Sequence, residues 1–142
     1  MIPLLKQIRY ADIFPKQKFV LTKNISQKDL ENFALFLADN SKDVRAKNVL
    51  AQGTYPNYLL LASIISEILG NTLPGPGYVS LGFMFETKSN NLMNAGENIT
   101  TEVVVAEKFG GKFLKLHSKS FGGKNEFLLY GEILVMAPDY LL

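Results

Sequence analysis

The sequence predicts an α+β fold in which one long antiparallel sheet curls around a single buried helix. Its carboxyl-terminal half contains four segments with the length and composition of strands, at residues 78–87, 98–109, 112–121 and 124–136. Ahead of them lies the apolar run LLLASIISEIL, which has the length of a helix and is apolar on most sides. A sheet wrapped around this helix buries both elements.

The last three of these strands are predicted to form an antiparallel meander. They are separated by Gly110-Gly111 and by Gly122-Gly123. Paired glycines supply the positive φ angles that two-residue hairpin turns need. Each strand should therefore pair with the next one along the chain.

A shorter strand and a helix are predicted near the amino terminus. Residues 18–22 alternate in the manner of a strand. Ser26 and Asp29 have the spacing of a capping box, and apolar residues recur behind them at helical spacing. These signals predict a helix over residues 27–38.

The segment between the two helices carries few structural signals. Residues 39–55 are polar and lack a sustained period, which predicts a loop with at most one helical turn. Pro56 and Asn57 stand where the first turn or cap of the apolar helix is expected, and Gly70 stands where it ends. Because this helix lacks a polar face, we expect protein to surround it.

Composition limits the class of protein. A chain of 142 residues is long enough for one sizeable core and short for two, so we expect a single domain over residues 1–142. With 20% charged residues and a net charge of +2, nucleic acid is not an expected partner. The chain contains no cysteine, which excludes disulfides and fits a reducing compartment, with the cytoplasm as the default location.

Membrane and metal sites are not expected either. The most apolar run, residues 58–65, is followed by Ser66 and Glu67 and is too short to span a bilayer. One histidine and no cysteine make a metal site improbable, and we expect no cofactor.

Four phrases, in order along the chain, carry a resemblance to one protein family. They are ISQKDLENFALFLADN, YLLLASIISEILGNTLPGPG, NAGENIT and YGEILVMAP, and together they cover nearly the whole chain. They resemble segments of the MaoC-like (R)-specific enoyl-CoA hydratases and dehydratases. The resemblance implies the fold of that family, the hot dog, in which an antiparallel sheet wraps a central helix.

The resemblance also implies a catalytic residue and a missing partner. In that family an aspartate, and a histidine five residues later, activate a water for addition to a trans-2-enoyl thioester, which gives the (R)-3-hydroxyacyl product. Asp39 matches the aspartate, whereas the position five residues on is Val44. A valine cannot accept or donate a proton, so the resemblance implies lost or impaired hydratase chemistry.

Substrate-binding residues are implied at the start of the central helix. Asn57 and Tyr58 stand where relatives have a His-Gly pair, whose glycine N–H polarises the thioester carbonyl. Ser63 matches a substrate-site serine of relatives. The segment between Asp39 and this helix is about four residues shorter than in relatives.

Ordinary structural roles also fit these residues. An aspartate followed by Asn-Ser, as at Asp39, is typical of a turn, and Ser63 could serve packing within a buried helix. The single histidine, His117, alternates with Leu114 and Leu116, so its side chain is predicted to point away from the core.

Three functions remain open from the sequence alone. The first is an accessory protein that binds an acyl-CoA or acyl-ACP thioester, as a homodimer or as a heterodimer with another hot-dog protein. The second is an active hydratase, dehydratase or thioesterase with a remodelled site that uses Asp39. The third is a structural or regulatory domain without a thioester ligand, which a tunnel filled by Tyr58 or by Phe83 and Phe85 would favour.

Overall fold

The structure is a computed structural model that describes residues 6–38, 54–56, 58–87, 92–94 and 96–142. Within these residues lie two α-helices and seven strands. The helices are α1 (Gln27–Ala38) and α2 (Tyr58–Asn71). The strands are β1 (Lys18–Asn24), β2 (Thr54–Pro56), β3 (Val79–Thr87), β4 (Leu92–Asn94), β5 (Asn98–Phe109), β6 (Phe113–Phe121) and β7 (Phe127–Met136).

Five strands form one antiparallel sheet in the order β1-β5-β6-β7-β3. Its central part is the predicted meander of β5, β6 and β7. Side chains alternate along these strands between a buried face and a face that is partly exposed. The α+β hot-dog architecture predicted from the sequence is confirmed, with α2 packed against β5 and β7 on the buried face.

The two hairpin turns of the meander differ from one another. Gly110 and Gly111 adopt φ angles of +62° and +72°, as predicted. The second turn is longer, because Phe121 pairs with Phe127, and its left-handed residue is Asn125, with φ +65°. The prediction that Gly122-Gly123 would supply the positive φ angles was therefore wrong. Asparagine tolerates the left-handed region well enough to take that role.

The predicted capping box closes the start of α1. The backbone N–H of Asp29 donates to Ser26 Oγ over 3.0 Å, and the N–H of Ser26 donates to Asp29 Oδ2 over 3.0 Å. Hydrogen bonds from the backbone and the side chain of Ser26 to the Asp29 carboxylate hold its pKa below the usual value. Two otherwise unpaired donors of the helix start are satisfied.

A second, two-stranded sheet was not expected from the sequence. β2 pairs antiparallel with β4, and Thr54 lies opposite Asn94. Residues 54–55 therefore belong to a strand rather than to the predicted loop, and Pro56 ends that strand. This pairing joins segments almost 40 positions apart in the sequence, so the local sequence patterns do not indicate it.

One face of α2 provides much of the core. Leu61, Ile65 and Ile68 are at most 3% exposed and pack in one cluster with the inward residues of the sheet. The opposite side is open, and we refer to its exposed residues as the α2 stripe: Ser63, Ser66, Glu67 and Gly70. The expectation of a helix without a solvent face was wrong, because within the described residues the sheet covers only one side of it.

Candidate functional site

Of the residues predicted for the site, Ser63 is the one that the structure describes in full. Asp39 and Asn57, like Val44, lie outside the described residues. Tyr58 is the first residue of α2, and the structure does not describe its side chain. Their roles therefore stay predictions, and the geometry of the site begins with Ser63.

Ser63 lies on the exposed α2 stripe. Its hydroxyl donates to the Leu60 carbonyl oxygen over 2.7 Å, one turn earlier in the same helix. This is the back-bonding typical of helical serines. The hydroxyl can donate to a ligand only by giving up that bond, which has a net worth of about 1 kcal/mol, although its oxygen can still accept from one.

A cleft of about 580 Å³ opens on the β1 side of the stripe. Its walls combine apolar side chains of α2 with the polar end of β1 and the first turn of α1: Lys23, Asn24, Ile25, Asp29, Asn32, Leu60, Ser63, Ile64 and Glu67. An ion pair between Lys23 and Glu67 bridges β1 and α2. The volume is in the range of small-molecule sites, which span about 300–1,000 Å³.

A smaller cavity, of about 100 Å³, lies on the β3 side of the same stripe. Leu69, Pro74 and Val135 form apolar walls, and the remaining lining comes from Ser66, Gly70, Tyr78 and Ser80. Ser66 was not singled out from the sequence. The available signal was its position three residues after Ser63, since such residues are neighbours on a helix surface.

Tyr78 stays protonated at neutral pH and cannot serve there as a base. Its hydroxyl donates to the Ile8 carbonyl oxygen over 2.7 Å. Burial raises the pKa of Tyr78 to about 12, and the nearby Tyr10 and Asp12 add to the shift. The phenol is therefore a fixed donor that ties the amino-terminal segment to the start of β3.

We expect the raised pKa of Tyr78 to produce a loss of stability in alkali. The folded protein holds this proton more tightly than the unfolded chain, whose tyrosine titrates near 10.0. The contribution is complete below pH 10 and is lost as the pH rises towards 12. Urea unfolding of wild type and Tyr78→Phe across this range should give a shallower alkaline decline for the variant. An identical decline would contradict the assignment.

His117 lies on the outer face of the sheet, away from α2. Its neighbours Leu116 and Ser118 point inward and are at most 1% exposed, as the predicted alternation requires. The imidazole Nε2 lies 3.2 Å from Glu132 Oε1, and the ring meets Tyr130 edge-on at 5.7 Å between centroids. The chain's single histidine is therefore separated from the α2 stripe by the sheet itself.

The described ranges offer neither a metal centre nor a membrane span. No group of three acidic or histidine side chains in these ranges could hold a metal ion. Neither of the described helices has both the length and the apolar character to cross a bilayer.

Comparison with known proteins finds sequence relatives that carry the names of acyl-CoA enzymes. No family model matches. The chain is 27% identical to a 3-hydroxybutyryl-CoA dehydratase of Methylorubrum extorquens, over 97% of this chain and 89% of the relative. It is 28% identical to an (R)-specific enoyl-CoA hydratase of Rhodospirillum rubrum, over 91% of each chain.

Solved structures agree on the fold. The R-hydratase PhaJ1 of Pseudomonas aeruginosa superposes with a TM-score of 0.77 at 24% identity, over 93% of this chain and 86% of that one. A chain of the ChsH1-ChsH2 complex of Mycobacterium tuberculosis shares the fold, with a TM-score of 0.69 at 11% identity, over 88% of this chain and 98% of that one. The chain is thus a homologue of proteins named (R)-specific enoyl-CoA hydratase and 3-hydroxybutyryl-CoA dehydratase, and it has the hot-dog fold.

Proposed function

We propose that this chain is a single-domain, cytoplasmic hot-dog protein that binds an acyl-CoA or acyl-ACP thioester and has lost ordinary hydratase chemistry. One observation carries the proposal: the only imidazole of the chain, that of His117, lies on the sheet face opposite α2. The absence of cysteine supports the cytoplasmic placement.

Hydratase chemistry needs two proton-transfer groups. Addition of water to an enoyl thioester requires a base for the water and an acid for the carbon that receives the proton. Each well-placed group contributes about 10²–10⁴-fold to the rate. Asp39 would supply one group, whereas Val44 replaces the other and His117 cannot reach the helix side of the sheet.

The ligand would lie along the α2 stripe, between the cleft and the smaller cavity. The thioester carbonyl would meet the backbone at Asn57 and Tyr58, because unpaired N–H groups at a helix start favour negative charge on an oxygen. The polar walls of the 580 Å³ cleft, including Ser63, suit the polar arm that links the thioester to coenzyme A or to ACP. The acyl chain would enter the cavity beside Leu69 and Val135.

A second hot-dog chain is the proposed partner along β3. This strand is at the edge of the sheet, and its Leu81 and Phe83 are 48% and 47% exposed. An exposed apolar edge strand presents main-chain N–H and C=O groups that can pair with another strand. The partner would be a second copy or a catalytic hot-dog subunit, and the structural likeness to a chain of a two-protein complex supports including the latter.

Titration with butyryl-CoA and butyryl-ACP tests the binding part of the proposal. Calorimetry on the purified protein should give saturable binding of at least one of them, and Ser63→Phe should weaken it. The matched control is Thr22→Phe, an exposed position on the far face of β1. If neither thioester binds, the protein has no thioester ligand and the third function considered from the sequence gains support.

An enzyme with a remodelled site is the second candidate. Asp39 is retained, and both curated relatives carry the names of enzymes that act on CoA thioesters. Such an enzyme would turn over an enoyl-, 3-hydroxyacyl- or acyl-thioester with a proton donor other than histidine. A panel of these substrates on both carriers separates the two candidates, since turnover that disappears in Asp39→Ala favours the enzyme.

A further inference from the structure

The outer face of the sheet carries an apolar patch at one end. Four side chains lie in one row across β3, β7, β6 and β5, since Val79 pairs with Met136, Met136 with Phe113, and Phe113 with Phe109. The last two rings stack at 5.4 Å. With two neighbours from the next rows they form the outer patch: Val79, Met84, Phe109, Phe113, Leu134 and Met136.

The outer patch is exposed and concave. Val79, Met84 and Phe109 are 47%, 49% and 39% exposed. A cavity of about 400 Å³ opens between Met84 and Phe109, where Gly82 leaves nothing within 4 Å of the place that a Cβ would take. A contiguous exposed apolar surface of this kind is more often an interaction site than a sheet face that stays in contact with solvent.

The charges beside the patch indicate what covers it. Lys115 and Glu132 line the same cavity, with Lys115 Nζ 3.8 Å from Glu132 Oε1. A surface with one cation next to one anion is complementary to itself after a two-fold rotation, because each lysine can then face the other copy's glutamate. A strongly acidic or basic partner would gain nothing from such a pair.

We propose that the outer patch is an isologous interface between two copies of this chain, with Lys115 of each copy opposite Glu132 of the other. Val79, Gly82 and Met84 belong to edge strand β3. Edge pairing would use the main-chain groups of that strand, whereas the outer-face contact uses side chains, so the two contacts can coexist. The ligand region proposed above lies on the inner face, so this contact leaves it open.

Molar mass in solution tests this interface. Light scattering on wild type at high micromolar concentration should give an assembly, and Phe109→Lys, on β5 and away from edge strand β3, should halve its mass, because a lysine buried in the contact lacks a partner. Val20→Lys is the matched control, since Val20 is 46% exposed on the outer face of β1, away from the patch. Its mass should equal that of wild type.

A charge exchange tests the two-fold arrangement itself. Lys115→Glu should also halve the mass, and adding Glu132→Lys should restore it. Butyryl-CoA affinity should stay within twofold in all these variants, which separates this contact from the proposed ligand site. A monomeric wild type, a mass unchanged in Phe109→Lys, or a halved mass in Val20→Lys would overturn the proposal.

Discussion

Replacing Gly131 with valine is expected to lower the free energy of unfolding by about 1–3 kcal/mol, the usual cost of an overpacked core. Gly131 lies on the inner face of β7, opposite Phe85 of β3. A Cβ at Gly131 would lie 2.9 Å from Phe85 Cε1 and 3.0 Å from Cδ1. The backbone there does not need glycine, because its φ is not positive. The glycine therefore makes room for the ring.

Urea unfolding with two further variants isolates this cause. Gly82→Ala is the matched control in the neighbouring strand, because nothing lies within 4 Å of its added Cβ, and it should change stability by less than ~0.5 kcal/mol. Combining Gly131→Val with Phe85→Leu should recover about 1 kcal/mol or more relative to the sum of the single changes. Additive effects would show that the ring does not cause the loss.

Ser66→Phe is expected to weaken butyryl-CoA binding about 100-fold, a change of ~2.8 kcal/mol. Ser66 is exposed on the α2 stripe and lines the cavity of about 100 Å³, so a phenylalanine ring there would occupy the space proposed for the acyl chain. Because the position is exposed in the free protein, the fold should be retained. Calorimetric titration measures the affinity, and thermal unfolding measures the fold.

A phenylalanine on the other face of the sheet provides the control. Lys119 is exposed on the outer face of β6, and Lys119→Phe should leave the affinity within twofold of wild type. Unchanged binding in Ser66→Phe would place the acyl chain away from the α2 stripe.

Local signals predicted the elements whose determinants are local. The Ser26 and Asp29 spacing located the start of α1, because the two residues cap each other. Alternation predicted that His117 points away from Leu116, since strand side chains change face at each residue. Gly110 and Gly111 located the first hairpin turn of the meander.

Features that depend on distant contacts were not predicted. The pairing of β2 with β4 joins two short segments whose own composition does not indicate a strand. The exposed stripe of α2 depends on how far the sheet wraps, which the apolar composition of the helix does not encode. For the candidate site, the sequence pointed to Ser63 and missed Ser66, whose relevance comes from the cavity beside it.

In the proposed function, the fold and a thioester site persist without the acid–base pair of a hydratase. The missing group is specific, because the only histidine is on the wrong face of the sheet. Ser63 and Ser66, by contrast, which would line the ligand site, are both exposed on α2.

The initial rate of crotonyl-CoA hydration by the purified protein tests this claim most directly, followed through the loss of the enoyl-thioester absorbance. We expect a rate equal to that without protein, and the same rate in Asp39→Ala, under conditions in which butyryl-CoA binds. Appreciable hydration by wild type that disappears in Asp39→Ala would contradict it.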